Sequence, residues 1–186
     1  GIKKMEIITL KDINFNEEII EDGKTFEENS EIKARAIEKY CNKNNIEYEL
    51  ILTDDAGLCI EKLNGEPGVY SARYAGPNAT QKQILEKVLD KMKKYEKPVD
   101  RKCVFVCVLT GILRNGEKII ARGECKGTVA KEHGKLGGLT YIPIFIPEGF
   151  DKPMSDIEDK TLEEMHNHRE LAVKIMIQNL KDKKMI

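Results

Sequence analysis

The residues of this sequence best suited to catalysis or metal binding are acidic side chains near the ends of predicted strands and helices. Asp54 and Asp55 follow an apolar run of strand character, and Glu21 precedes a predicted helix start. Carboxylate oxygens suit Mg²⁺, which commonly takes one or two carboxylates together with substrate phosphates. Adjacent residues of an extended chain face opposite ways, so we expect one aspartate to line a pocket and the other to be structural. Solvated turn residues or helix caps are the alternative that the spacing leaves open.

A second group of residues has the chemistry to hold an anion. The segment from Pro67 to Tyr74 carries a hydroxyl and Arg73, whose planar guanidinium suits bidentate contact with a phosphate. His168 and Arg169 begin another predicted helix, where free backbone amides already favour an anion. The structural alternatives are a surface ion pair for Arg73 and a solvated helix terminus for the other two residues.

The signatures of several other enzyme classes do not occur in the sequence. There is neither a Gly-x-x-x-x-Gly-Lys-Ser/Thr loop nor a Gly-x-Gly-x-x-Gly fingerprint, so P-loop and Rossmann nucleotide binding have no support. The histidines lack the spacing of a zinc-binding helix, and no nucleophile elbow is present. The sequence therefore gives no support to these enzyme classes.

The composition is that of a globular protein without a surface for polyanions. The chain has 186 residues, with 31 lysines and arginines against 32 aspartates and glutamates and a net charge of −1. Its length predicts a single domain over residues 1–186. The charge balance, with 6% aromatic residues and no tryptophan, disfavours a nucleic-acid-binding protein. Because we find no apolar run of about 20 residues and no signal segment, we expect no membrane association and a cytoplasmic protein.

Three helices are predicted to position these side chains. A capping-box pattern at Thr25 to Glu28 predicts a helix from about Phe26 to Cys41. Thr80 to Gln83 open a second helix, and Asn167 caps a third that begins at about His168.

Strand patterns alternate with these helices. Met5–Leu10 reads as a short strand, and the acidic pair is placed at the end of a strand that begins near Tyr48. Two longer runs, Cys103–Leu113 and Lys118–Ala121, flank an Asn-Gly pair that predicts a long hairpin with a two-residue type I′ turn. Helices interspersed with strands and a hairpin predict a mixed sheet in an α/β or α+β domain.

Three blocks of the sequence carry a resemblance when they are read together. They are Glu21–Asn29, Thr53–Leu58 and Pro67–Gly76. Two later blocks add to it, because Gly137–Phe145 is similar to the pattern Gly-Gly-Phe-Gly-Tyr-Asp-Pro-x-Phe, and Asn167 to Arg169 is similar to Ser-His-Arg. In type and order these blocks resemble the inosine triphosphate pyrophosphatase family, also called the XTP/dITP diphosphatases, from about Lys11 to the final helix.

The resemblance implies an elongated α/β fold around a mixed sheet, a homodimer, and Mg²⁺-dependent cleavage of ITP, dITP or XTP to the monophosphate and pyrophosphate. It implies that Glu21 and Asp55 bind the metal and that Asp55 is the catalytic residue that activates the attacking water. The side chains expected to contact the substrate are Ala56, Arg73, Leu139, Thr140, Tyr141, Ile142, Glu163, His168 and Arg169. Lys33 and Asp54 are further candidates at the site.

Several of these positions depart from the family pattern. Leu139 stands where the family has a phenylalanine that packs on the base, Thr140 replaces a glycine, and Ile142 replaces an aspartate. Glu163 replaces a lysine, and Ala56 replaces a serine. Hydrogen-bonding groups reject wrong bases far better than apolar walls do, so we expect relaxed or changed base recognition.

The resemblance also places a first strand and a Ser/Thr-x-Asn-x-x-Lys loop ahead of Gly1, and we expect this chain to lack both. Together with Glu163, that expectation leaves an alternative open: a non-catalytic paralogue that acts as a nucleotide-binding or interaction module. Retention of Glu21 and Asp55 favours the enzyme.

Overall fold

The computed structural model describes residues 6–158, 161 and 167–185. The helices of this part of the chain are α1 (Phe26–Lys43), α2 (Gln81–Met92) and α3 (His168–Asp182). Its strands are β1 (Leu50–Ile60), β2 (Lys102–Leu113), β3 (Lys118–Val129) and β4 (Phe145–Pro147). None of the described helices is both long and apolar enough to cross a bilayer.

The described strands form one sheet in the order β1-β2-β3-β4. Strand β4 runs antiparallel to β3, with Thr128 opposite Ile146. The predicted α/β fold with a long hairpin is confirmed. A mixed sheet was predicted, but the sheet of the described strands is antiparallel.

The chain divides into two compact units. Unit 1 comprises the described residues of Gly1–Asp55, Val108–Arg122 and Ala172–Ile186. Unit 2 comprises those of Ala56–Cys107 and Gly123–Leu171. A single domain over the whole chain stays a prediction.

Each unit has its own buried apolar cluster. In unit 1 the inner face of α1 packs on β1 and β2, through residues that include Ala34, Ile37, Cys41, Ile51 and Ile112. In unit 2 the inner face of α2 packs on strand residues, and the cluster includes Leu58, Leu85, Val88, Phe105 and Phe145. Both helices follow the 3.6-residue apolar period that the sequence showed.

The predicted helix starts are confirmed by their caps. The Thr25 hydroxyl accepts a hydrogen bond from the Glu28 amide at 3.1 Å. Thr80 and Gln83 form a complete capping box at the start of α2. The Asn167 side-chain oxygen accepts from two amides in the first turn of α3, each at 3.0 Å. These bonds satisfy amides that have no partner within the helix.

The turn of the β2–β3 hairpin differs from the prediction. A type I′ turn needs positive φ at both Asn115 and Gly116, but only Gly116 has it, at +82°. The Gly116 amide donates to the Leu113 carbonyl at 2.8 Å, and the Leu113 amide donates to Glu117 at 2.9 Å. The result is a three-residue loop that ends in a left-handed glycine. The Asn115 side chain favours it by accepting from the Glu117 amide at 2.9 Å.

Two strand predictions were wrong. Residues 6–10 contain no strand, and Ile7 and Ile8 are exposed, so no apolar burial holds this segment extended. Asp54 and Asp55 lie inside β1 and not at its end, since the strand continues without a break to Ile60. Polar residues are tolerated inside a strand where their side chains find partners, as described next.

Candidate active site

A lysine bridges two carboxylates in unit 1. Lys33, on α1, places its Nζ 2.9 Å from Glu21 Oε1 and 3.3 Å from Asp55 Oδ1. Only 14% of the Asp55 side chain is exposed, against 32% for Glu21. The structure therefore brings three of the predicted site residues together. We call Glu21, Lys33 and Asp55 the acidic cluster.

The segment that carries Glu21 is held by a close approach to α1. The Gly23 amide donates to Asn29 Oδ1 at 2.8 Å, and Asn29 is almost completely buried. A Cβ at Gly23 would lie 2.6 Å from the same oxygen, so a larger residue would push the segment away from the helix. This glycine fixes the position of Glu21 two residues earlier.

A reciprocal pair of hydrogen bonds fixes β1 on α1. The Thr53 hydroxyl donates to the Ser30 carbonyl at 2.7 Å, and the Ser30 hydroxyl donates to the Thr53 carbonyl at 3.2 Å. Thr53 lies two residues before Asp55, so both aim their side chains at the same face of the strand. That face is turned toward the helix that carries Lys33.

Burial and charge act against each other on the acidic cluster. Burial raises the pKa of Asp55, and the charge and hydrogen bond of Lys33 offset only part of this rise. Burial lowers the pKa of Lys33, but the hydrogen bonds that its ammonium donates to Glu21 and Asp55, together with the two carboxylate charges, outweigh burial, so that the pKa of Lys33 is raised. The ammonium is therefore charged at neutral pH and holds both carboxylates.

The acidic cluster fits a divalent metal ion. Asp55 Oδ2 is buried and has no hydrogen-bond partner within the described residues, which is costly for a carboxylate oxygen. With Glu21, it offers the hard oxygen ligands that Mg²⁺ prefers. No group of three or more His, Cys, Asp or Glu side chains converges in the described part of the chain, so phosphate and water oxygens would complete the coordination.

Replacing Lys33 tests the electrostatics of the acidic cluster. In Lys33→Gln the attraction that lowers the pKa of Asp55 is lost, so we expect this pKa to rise further. A ¹³C NMR titration of the Asp55 carboxyl group measures the change directly. Arg35→Gln is the control, because Arg35 lies on the same helix and pairs with Glu38 at 2.9 Å instead. A titration midpoint that is the same in Lys33→Gln and the wild type would contradict the assignment.

Arg73, the first predicted anion contact of unit 2, ends a short 3₁₀ helix, Gly68–Arg73. Ser71 anchors this helix, because its hydroxyl accepts from the Leu58 amide at 3.0 Å and donates to the Gly68 carbonyl at 2.7 Å. The Arg73 guanidinium is exposed and lies 5.3 Å from the centre of the Tyr70 ring. A cation held on an aromatic face and open to solvent is suited to meet a phosphate.

The side chains of the glycine-rich segment before β4 differ in their exposure to solvent. Leu139 is 46% exposed, and Thr140 and Ile142 are half-buried. Tyr141 is buried, and its hydroxyl donates to the Ser71 carbonyl at 2.6 Å. Tyr141 thus ties this segment to the helix that ends in Arg73.

His168 is buried in an aromatic stack. Its ring lies 4.1 Å from that of Phe105 with an angle of 14° between the planes. Phe105 also makes edge contacts with Tyr141 and Phe145, at 6.4 and 5.3 Å between ring centres. Nδ1 of His168 has no hydrogen-bond partner among the residues described, whereas Arg169 is exposed. The stack therefore holds an imidazole whose Nδ1 the described residues leave without a hydrogen-bond partner.

Burial and the charge of Arg169 lower the pKa of His168 to about 4. Between pH 6.5 and about 4 the unfolded chain binds a proton that the folded chain does not. The free energy of unfolding should therefore fall as the pH drops through this window, by up to about 3 kcal/mol. Urea unfolding at several pH values measures it, and His168→Gln should flatten the dependence. An equally steep dependence in His168→Gln would contradict this prediction.

The remaining predicted residues are placed as follows. Asp54 and Ala56 flank Asp55 in β1, and both are half-buried. Glu163 lies outside the described residues. The substrate contacts of all these residues stay predictions.

Sequence reasoning missed three residues that support the site. Asn29 and Ser30 are buried polar residues on the inner face of α1, and polar residues at positions of apolar period are the signal that could have revealed them. Phe105 lies in a continuous apolar run, so nothing in its context separates it from ordinary core residues.

Comparison with known proteins gives the family. Residues 2–179 match the family model described as the Ham1 family. The dITP/XTP pyrophosphatase of Bdellovibrio bacteriovorus is 39% identical over 160 residues, which cover 86% of this chain and 77% of that protein. The protein of the same name from Clostridium perfringens is 34% identical over 177 residues, covering 95% and 86%.

Solved structures agree with the sequence comparison. The Staphylococcus aureus Ham1 protein superposes with a TM-score of 0.83 at 32% identity, over 96% of this chain and 88% of that one. A nucleoside-triphosphatase, dITP/XTP pyrophosphatase, from Mycobacterium abscessus gives a TM-score of 0.77 at 29% identity, over 93% and 85%. The family resemblance found in the sequence is confirmed. This chain belongs to the Ham1 family.

Proposed function

We propose that the protein is a Mg²⁺-dependent enzyme that hydrolyses ITP, dITP or XTP to the nucleoside monophosphate and pyrophosphate. The acidic cluster carries this proposal, because it joins a raised-pKa carboxylate, a second carboxylate and a lysine. The names of the relatives give the class: the enzyme is a nucleoside triphosphate diphosphatase. Removal of modified purine nucleotides from the nucleotide pool is the role that fits this chemistry.

Asp55 is proposed to orient the attacking water and to accept its proton. A carboxylate with a raised pKa is the stronger base, and Asp55 owes this to burial. Lys33 holds Asp55 and Glu21 in one geometry through its two short contacts. When bound, Mg²⁺ would be held by Glu21 and Asp55 and would neutralise charge on the phosphates.

Residues of unit 2 are proposed to contact the nucleotide. The exposed guanidiniums of Arg73 and Arg169 are suited to phosphate oxygens. Nδ1 of His168, to which no residue in the described part of the chain hydrogen-bonds, is a polar atom available to the substrate. Leu139 offers an exposed apolar side chain where the family has a phenylalanine. This apolar contact supports a base preference that is broader than in the family.

Release of pyrophosphate is the test. The purified chain is incubated with Mg²⁺ and a panel of ITP, dITP, XTP, ATP and GTP, and parallel samples contain EDTA. We expect release from ITP, dITP or XTP that EDTA abolishes. Binding without release from any nucleotide would instead support the nucleotide-binding module, and the enzyme would be excluded.

The homodimer and the cytoplasmic location are part of the same proposal. Nucleotide pools are cytoplasmic, and the described helices contain no candidate membrane span. Sedimentation velocity of the purified chain tests the dimer, which predicts twice the 21.2 kDa of one chain.

A further inference from the structure

Both the oxygen and the nitrogen of the Gln81 side-chain amide form hydrogen bonds with one segment of unit 2, residues 137–140. Gln81 is the first residue of α2 and is half-buried. Its Oε1 accepts from the Gly137 amide at 2.8 Å. Its Nε2 donates to the carbonyl oxygens of Gly137, Leu139 and Thr140 at 3.1, 3.3 and 3.2 Å. The two N–H groups of Nε2 thus donate to three carbonyl oxygens, so at least one N–H group is shared between two carbonyls.

The segment that Gln81 holds has little support of its own. Gly137 and Gly138 adopt φ angles of +118° and +63°, in the left-handed region that favours glycine. Both lie outside the strands and helices of unit 2. Tyr141 anchors the other end through Ser71. Gln81 and Tyr141 therefore bracket Leu139, whose side chain is 46% exposed between the two anchors.

The hydrogen bonds of Gln81 also decide what the segment can offer to a ligand. A carbonyl that already accepts from the amide has less capacity to accept from a base. Adenine carries an exocyclic amino group at C6 and guanine carries one at C2, and such carbonyls would accept hydrogen bonds from these groups. Hypoxanthine lacks the C6 amino group of adenine, and xanthine lacks the C2 amino group of guanine. The hydrogen bonds of Gln81 to these carbonyls would therefore weaken this means of recognising amino-substituted purines.

We propose that Gln81 is a positioning residue that sets base specificity: it fixes residues 137–140 and takes up part of the acceptor capacity of the Gly137, Leu139 and Thr140 carbonyl oxygens, so that amino-substituted purines gain less there. This inference rests on the proposed function, in which the same segment contacts the base. It assigns a role to a residue that carries no acid, base or metal-binding group.

Affinities for two nucleotide analogues test the proposal. The probes are ITP and ATP with an imido bridge between the α and β phosphates, so that binding is measured without turnover by calorimetry. In Gln81→Ala we expect affinity for the ATP analogue to rise relative to the ITP analogue by about fivefold, because the freed carbonyls can accept from the amino group. The Gly137 amide should exchange with solvent about tenfold faster.

Two further variants isolate the cause. Gln83→Ala is the matched control, because Gln83 lies on the same helix turn and its side chain contacts Thr80 rather than the segment. It should leave the affinity ratio unchanged. Gln81→Glu keeps an acceptor for the Gly137 amide but has no donor, so it should shift the ratio in the same direction as Gln81→Ala.

The outcomes separate this inference from the proposed function. If Gln81→Ala speeds amide exchange but leaves the affinity ratio unchanged, Gln81 is only structural and the inference is overturned. If exchange of the Gly137 amide does not change, Gln81 does not hold residues 137–140 through hydrogen bonds, and the inference is overturned. If the wild type binds neither analogue, the proposed function fails and the specificity role fails with it.

Discussion

Asp55→Asn should lower kcat for pyrophosphate release by about a thousandfold, the loss expected when a side chain with the two proposed roles of Asp55, general base and metal ligand, is replaced. The substitution keeps the size of the side chain and removes its charge. Because Asp55 Oδ2 is buried and has no partner among the described residues, it is free to act on a ligand. Steady-state kinetics with the best substrate of the nucleotide panel measures the effect.

The same variant should fold at least as well as the wild type. Burial raises the pKa of Asp55 above its ordinary value of 3.8, so the folded chain keeps a proton that the unfolded chain has lost. The free energy of unfolding therefore falls as the pH rises from 3.8 through the raised pKa, and a neutral asparagine avoids this loss. Loss of activity with unchanged or increased stability would separate a catalytic role from a structural one.

Asp54→Asn is the matched control for Asp55→Asn. Asp54 precedes Asp55 in β1, so its side chain faces the opposite side of the strand. We expect a fall in kcat of about tenfold or less. Equal losses in the two variants would contradict the assignment of Asp55 as the base.

Arg101→Met should lower the free energy of unfolding by about 4 kcal/mol, because four carbonyl groups lose their donor at once, three of these hydrogen bonds being buried and the fourth part-buried. Arg101 as a whole residue is 4% exposed. Its Nε donates to Val129, its Nη2 to Ala130, and its Nη1 to Met92 and Tyr95, at 2.6 to 2.8 Å. It therefore joins the end of α2 and the loop after it to the end of β3.

Urea unfolding measures this loss of unfolding free energy, and two further variants show what causes it. Arg101→Lys keeps the charge but has fewer donors in a different geometry, so we expect about half the effect. Arg114→Ala is the control, because Arg114 is 59% exposed and pairs with Glu47 and Glu49 at 3.5 and 3.4 Å. Exposed pairs of this kind contribute about 1 kcal/mol or less. Similar losses in Arg101→Met and Arg114→Ala would contradict the role of the buried network.

Local elements of the fold could be read from the sequence because their signals lie within a few residues. Thr25, Thr80 and Asn167 cap the helices as predicted, since a cap bonds to amides two or three positions away. The hairpin was predicted for the same reason. Its turn type was wrong because the Asn115 side chain bonds the Glu117 amide, a choice between two local geometries that the Asn-Gly pair alone does not make.

The candidate site residues could also be named from the sequence, since Glu21, Asp55, Arg73 and His168 lie in blocks whose types and order carry the family resemblance. The environments of these residues could not be predicted from the sequence. That Lys33 bridges Glu21 and Asp55, that His168 stacks on Phe105, and that Gln81 holds residues 137–140 all depend on tertiary structure. These contacts join residues 12 to 63 positions apart, and packing of the whole chain, rather than any local preference, sets such distances and the burial that shifts each pKa.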